Sequence, residues 1–416
     1  MALRALRYYN FRLYFSGQAI SLIGTWMQRI AVSWLVYKIT QSAFMLGLVA
    51  FAGQIPVLLL SPYAGTYVDR HSRYRTLLVT QIASMVQAGI LALVVWTAYD
   101  TIGVIIGLSI LLGCINAFDT PSRQSLMIVL VEEKEHLPNA IALNSSMVTF
   151  ARLVGPAVAG ILLSSYGEDI CFLINFLSFI AVIISLLLMK IQVPVRPKNT
   201  EPIWSNVKEG FRYVRENRGL RSAIVLAAAM SLLVLPYTNL LPIYAASVFK
   251  GNVTTFSWLN SISGLGALIG AIFIATLKAG KDFMKIISWA ALLFSAGLVA
   301  FSYTKSLPVA LLLIMIAEGG LLVEIAATNT FIQTHVDEHM RGRVVSYYVM
   351  AFLGMQPIGG LLIGSLAHWV GAPLTVLIEG ICGITAALLF TPLLKRKRDM
   401  LARRAAGLIG RSSENR

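Results

Sequence analysis

Gly65-Thr66-Tyr67-Val68-Asp69-Arg70-His71-Ser72-Arg73-Tyr74-Arg75 joins two long apolar runs, near 44–66 and 76–97. A helix needs roughly 20 apolar residues to cross ~30 Å of hydrocarbon, so the stretch reads as a short polar turn between two membrane-spanning helices. A surface turn needs only its positive charges to stay out of the bilayer; the Asp among three arginines is extra. Gly65 permits close helix approach, Asp69 can accept from backbone N–H groups at a helix N-terminus, and Arg70, Arg73 and Arg75 offer cations to carboxylates. Together they are expected to form a gate latch at the cytoplasmic surface.

Outward from this turn the same grammar repeats. Of 416 residues 57% are hydrophobic and 13% charged, outside the range of a soluble core. Apolar runs between charged or Gly/Pro punctuation predict further spans near 14–37, 102–122, 142–165 and 170–189. A second set follows near 222–247, 256–277, 285–303, 307–331, 345–368 and 373–394. The expected fold is all-α and integral to a membrane, with twelve transmembrane helices in two six-helix bundles. The domains read as 1–190, a cytoplasmic linker at 191–221, 222–394 and a basic cytoplasmic tail at 395–416.

The net charge of +15 follows topology rather than nucleic acid, for which no partner is expected. With Met1 in the cytoplasm, all Lys and Arg fall on or beside cytoplasmic segments except Lys38, Lys250 and Lys305 outside and Arg29 and Arg152 within spans. That is the positive-inside pattern, with both termini cytoplasmic. The basic run Lys395-Arg396-Lys397-Arg398 is expected to hold the end of the last helix at anionic lipid. The segment ending at Arg12 leads into an apolar run too long for a signal-peptide core, so the first helix is expected to remain attached. Cys114, Cys171 and Cys382 lie in apolar runs without paired spacing, which supports neither disulfide nor metal site. In the linker, Trp204, Val207, Phe211 and Val214 recur at helical spacing opposite Lys208, Arg212 and Arg215. They predict an amphipathic helix on the headgroups.

A weak internal repeat relates the halves. Leu153-Val154-Gly155-Pro156 followed by Gly160 in span five is matched by Met355-Gln356-Pro357 followed by Gly359 and Gly360 in span eleven. Repeated bundles place substrate near the midplane between them.

The turn at 65–75 resembles the signature of the major facilitator superfamily between its second and third helices, with Ser72 where Gly is usual and Tyr74 where a basic residue is usual. Phe118-Asp119-Thr120-Pro121-Ser122-Arg123-Gln124, Leu137-Pro138-Asn139-Ala140-Ile141-Ala142-Leu143-Asn144-Ser145 and Arg152-Leu153-Val154-Gly155-Pro156 are similar to the bacterial branch that holds enterobactin-type siderophore exporters and macrolide-efflux proteins. Arg341-Gly342-Arg343-Val344 continues the likeness. The element Arg152, Gly155, Pro156, Gly160 resembles one found in antiporters and exporters of the superfamily, which favours efflux. The corresponding turn of the second half, Lys278-Ala279-Gly280-Lys281-Asp282, lacks the Asp-Arg pair, so a one-sided latch is expected.

The resemblance implies that spans one, four, seven and ten line a central cavity. Arg29, Asp119, Glu318 and Glu324 are the ionisable groups at membrane depth on those spans and become the proton-coupling candidates, Glu318 first. Glu318 and Glu324 are six residues apart and point about 120° away from one another, so they are not expected to form a dyad. A static salt bridge to Arg29 or Arg152 is the plainer role for each carboxylate. Glu379 lies on span twelve, normally peripheral. Span seven reads as a broken helix around Pro236 and Pro242, and its Tyr237 and Asn239 are the substrate-cavity candidates, with Tyr237 and Tyr244 otherwise serving as interfacial anchors.

The expectation is a monomeric, proton-coupled exporter of small amphipathic molecules in the bacterial inner membrane, in contact with membrane lipids and using no cofactor. A lipid or lysolipid flippase on the same fold, and a non-transporting membrane receptor, remain as alternatives. Enzyme motifs are missing: the chain has no His-Glu-x-x-His, phosphate-cradling Gly-Lys-Ser/Thr loop or nucleophile elbow.

Overall fold

The computed structural model describes residues 4–131, 133–190, 203–277 and 281–390, which form helices and the short turns between them. Twelve helices of 19 to 32 residues are long and apolar enough to cross a membrane. The first six are α1 (Tyr9–Thr40), α2 (Ala43–Arg70), α3 (Arg73–Trp96), α4 (Ile102–Leu130), α5 (Leu137–Ser165) and α6 (Glu168–Leu187). A shorter α7 (Ile203–Glu216) leads into α8 (Arg218–Val248), α9 (Val253–Ala275), α10 (Phe283–Tyr303), α11 (Leu307–His335), α12 (Glu338–Val370) and α13 (Ala372–Phe390). Most helices outrun their apolar stretches, because hydropathy marks only the part in hydrocarbon whereas the backbone ladder continues until it is capped.

Local chemistry sets several of those ends. Ser72 starts α3 by accepting from the Arg75 amide at 3.4 Å, its backbone extended at φ −68°. The turn therefore needs no glycine there, which accounts for the departure from the usual signature. The other departure, Tyr74, donates its hydroxyl to the Leu186 carbonyl at 3.0 Å and so ties α3 to the end of α6. Asn252 caps α9 through the Thr254 amide at 3.0 Å. The break expected in α8 is present: Leu235–Leu240 is three-ten helix and Tyr244–Val248 is π-helix, where Pro236 and Pro242 withhold backbone donors.

The two halves repeat each other's packing. In the first, α4 packs on α2 and α3; in the second, α11 packs on α9 and α10. Across the middle α2 lies along α12 and α5 along α9. The repeat glycines sit at equivalent crossings. Gly155 lies against Trp26 of α1, where a Cβ would come within 2.5 Å of the Trp26 Cβ; Gly359 lies against α8, 2.8 Å from Pro236 by the same measure. Small residues allow such backbones to approach closely.

The halves touch at the end away from the linker and part toward it. At the far end Gly364 faces Ala43, whose carbonyl would be 2.7 Å from an added Cβ, Trp34 stacks on Phe256 at 5.9 Å, and the Tyr37 and Ser247 hydroxyls are 3.3 Å apart. Near the middle Gly264 faces Leu153 and Gly354 faces Leu58. Closer to the linker a Cβ on Gly65 would meet no atom within 4 Å. Neither α4 nor α5 packs along α11 or α12 among the described residues.

Helix α7 does more than lie on a surface. Its Gly210 and Val214 are buried, Gly210 against Tyr347, while Tyr213 donates to Asp337 at 3.0 Å and Glu209 pairs with Arg343. It docks on the turn between α11 and α12, leaving Phe211 exposed. The amphipathic pattern thus serves protein packing on one face, a partner the linker sequence alone does not name. The Trp204, Val207 and Lys208 side chains, Lys278 and the basic run at 395–398 lie outside the described residues.

Candidate functional site

Glu318 lies mid-way along α11 and is fully buried, and both of its oxygens are engaged. Arg152 of α5 donates to Oε2 at 2.7 Å, and the Tyr237 hydroxyl of α8 donates to Oε1 at 2.6 Å. The Ser263 side chain of α9 lies beside the same tyrosine. Two donors on one carboxyl group is the hydrogen-bond pattern of a carboxylate, since a protonated oxygen would itself have to donate. The pair Arg152–Glu318 links the two halves, because α5 belongs to the first and α11 to the second. Arg152 reaches this point because Gly155, one turn on, lets α5 lie tight on α1, and Gly264 lets α9 pass the α5 backbone near Leu153.

Arg29 joins the same cluster without a carboxylate. Its guanidinium sits over the Trp26 ring at 4.5 Å, and Arg152 lies 6.0 Å from that ring. Arg29 is exposed although protein surrounds it at longer range, so it lines open space inside the bundle. Tyr237, expected in the cavity, is instead fully buried with its hydroxyl committed to Glu318. Asn239 is partly buried and its amide approaches Gly360 of α12.

The other candidates fall elsewhere. Asp119 is buried within the first half, accepting from Thr80 at 2.9 Å and Gln81 at 2.6 Å and paired with Arg123, four residues on. Arg73 is buried and donates to the Ser125 carbonyl, so it ties α3 to α4 inside one half instead of reaching across. Arg70 is exposed, and the Asp69 side chain lies outside the described residues. A Cβ on Gly65 would meet no atom within 4 Å, so no close helix approach is seen at that glycine. Glu324 is buried, with Oε1 near the Thr328 hydroxyl at 3.4 Å and Oε2 without a partner among the described residues. It lies apart from Glu318, as the six-residue spacing requires. Glu379 of α13 is also buried, and neither of its oxygens has a partner among the described residues.

Trp26 carries no polar signal and does not stand out in the sequence, yet it is the platform shared by both arginines. A ladder of amides also escapes a scan for charge: Asn175 donates to Gln28 at 2.6 Å, Gln28 to Gln87 at 3.0 Å and Gln87 to the Leu108 carbonyl at 3.3 Å. It pins α1, α3, α4 and α6 into one rigid half. Three amide side chains inside apolar runs were the available signal.

Comparison with known proteins agrees with this architecture. The chain is 26% identical to the staphyloferrin A transporter of Staphylococcus aureus over 91% of its length and 95% of that protein. It is 24% identical to macrolide efflux protein A of Streptococcus pyogenes, covering 90% and 94%, and 27% identical to the multidrug efflux pump Tap of Mycobacterium tuberculosis, covering 84% of each. Among solved structures it superposes on the nucleoside transporter NupG with a TM-score of 0.76 at 11% identity, covering 92% of this chain and 99% of that one. A bacterial homologue of the lysosomal transporter Spinster, in an inward-facing conformation, gives 0.71 at 15% identity, covering 92% and 96%. The model of the transmembrane secretion effector family matches residues 1–406. Twelve spans in two repeated bundles and a family match over nearly the whole chain place this protein in the transmembrane secretion effector family, as a membrane transporter of the major facilitator superfamily.

Proposed function

We propose that the protein exports small amphipathic molecules across the bacterial cytoplasmic membrane in exchange for protons, by alternating access, with both termini and the linker in the cytoplasm. The observation that carries this reading is the Arg152–Glu318 pair, an ionic bond between halves that must move against each other. Charge on Glu318 holds the halves together at mid-membrane, and a proton on Glu318 removes it. Arg152 has no acceptor, so the incoming proton belongs on Oε1, where Tyr237 must turn from donor to acceptor. Ser263 gives the tyrosine hydrogen somewhere to go. Protonation thus loosens the bond between halves through a defined hydrogen-bond switch.

The positive-inside distribution of Lys and Arg supports the orientation. In that orientation the parted end faces the cytoplasm, where an exporter collects its cargo, and the glycine-packed end is the closed outer gate. Efflux is favoured by the names of the curated relatives, two of which are efflux proteins.

Proton flux in proteoliposomes, with amphipathic drugs and siderophores as substrates, tests this reading on wild type and Glu318→Gln. Proton movement that needs substrate and is lost in the variant is the expected result. Lysolipid translocation without proton movement would replace the exporter with a flippase.

A further inference from the structure

The cluster between the halves holds two arginines and one glutamate. Arg152 is matched by Glu318. Arg29 has no ion-pair partner among the described residues and lies open to the interior space at membrane depth. A cation left unpaired in such a place marks a site for something that arrives. Its setting is also ordered. The guanidinium is held over the Trp26 ring at 4.5 Å, and its N–H fork, which has no hydrogen-bond partner among the described residues, can make two parallel bonds to a planar anion. The neighbouring Arg152, over the same ring at 6.0 Å, adds positive potential and repels a cationic ligand.

We propose that Arg29, held on Trp26, is the binding site for an acidic group, and that this transporter's cargo is an amphipathic anion. The inference rests on the exporter reading for its cargo, but not for the site itself. A carboxylate at Arg29 neutralises the surplus charge, leaving Arg152–Glu318 free to respond to protons. An apolar body attached to that group would rest in the surrounding apolar interior.

The test is equilibrium binding to the detergent-purified full-length protein, using three probes that share one body: naphthalene-2-carboxylate, 2-naphthylmethanol and 2-naphthylmethylammonium. The carboxylate should bind most tightly, and Arg29→Gln should weaken it about 10- to 100-fold while leaving the alcohol unchanged. Arg29→Lys, which keeps the charge and loses the fork, should fall between. Unchanged alcohol binding and melting temperature show that the variants are folded. Lysophosphatidylglycerol against lysophosphatidylcholine separates a lipid headgroup from a free solute. Arg29-dependent binding of the first lipid without naphthoate binding keeps the anion site, assigns it to lipid and overturns the amphipathic solute as cargo. Equal binding of carboxylate and ammonium, or carboxylate binding that survives Arg29→Gln, overturns the site. Proton flux driven by cationic substrates alone would overturn the anionic cargo while sparing the exporter, whereas anion binding without any proton flux would do the reverse.

Discussion

Arg152 and Glu318 are 166 residues apart in the chain and 2.7 Å apart in the structure, each on a different half. Removing one partner leaves the other buried and uncompensated, whereas removing both leaves no buried charge and only the Tyr237 hydroxyl without its acceptor. Arg152→Leu should therefore cost about 3–5 kcal/mol, and the double variant Arg152→Leu/Glu318→Leu should recover most of it. Thermal unfolding of the single and double variants in detergent reads this directly. Additive losses would mean that the two residues do not act as a pair.

The contact between the halves at the end away from the linker depends on backbones that meet without side chains. A Cβ on Gly364 would lie 2.7 Å from the Ala43 carbonyl, backbone that cannot step aside. Gly364→Leu is expected to force this end apart and bring the linker ends together. Spin labels on exposed Tyr63 and Met350, on opposite halves, should move closer in the variant by pulsed electron resonance. An unchanged distance distribution would place the gate elsewhere.

Asp119 and Glu318 are both membrane-depth carboxylates, but their surroundings predict different phenotypes. Asp119 is bound entirely within one half by Thr80, Gln81 and Arg123. Asp119→Ala should destabilise by about 3 kcal/mol, toward the low end because Arg123 keeps some exposure, and should leave the proton-to-substrate ratio intact in whatever protein folds. A variant of normal stability with altered stoichiometry would move Asp119 into the relay.

Ser72 offers a local test. Ser72→Ala removes the cap on α3 and should cost about 1 kcal/mol, while Ser72→Gly should cost only a few tenths. The two melting curves, compared with wild type, distinguish capping from a demand for backbone freedom, under which glycine would stabilise.

Glu379 presents two buried oxygens without partners among the described residues. Replacing it with Met removes groups whose burial is uncompensated, so Glu379→Met should raise stability by about 1–3 kcal/mol and preserve transport. Loss of transport in a stabilised variant would instead give Glu379 a role in function.

The sequence by itself determined the spans, their division into six and six and the broken α8. Each of these depends on nearby residues: apolar length sets a crossing, and proline withholds a donor. It also supplied the charged residues at membrane depth as candidates. Only the tertiary structure decided their partners: which arginine meets Glu318, that Tyr237 is spent on that carboxylate instead of facing the cavity, that Gly65 stands away from its neighbour, and that Arg29 is left over. Pairing and open space are set by distances between helices far apart in the chain. Those distances come from how glycine-lined faces pack across the bundle, which no local pattern of hydropathy or charge encodes.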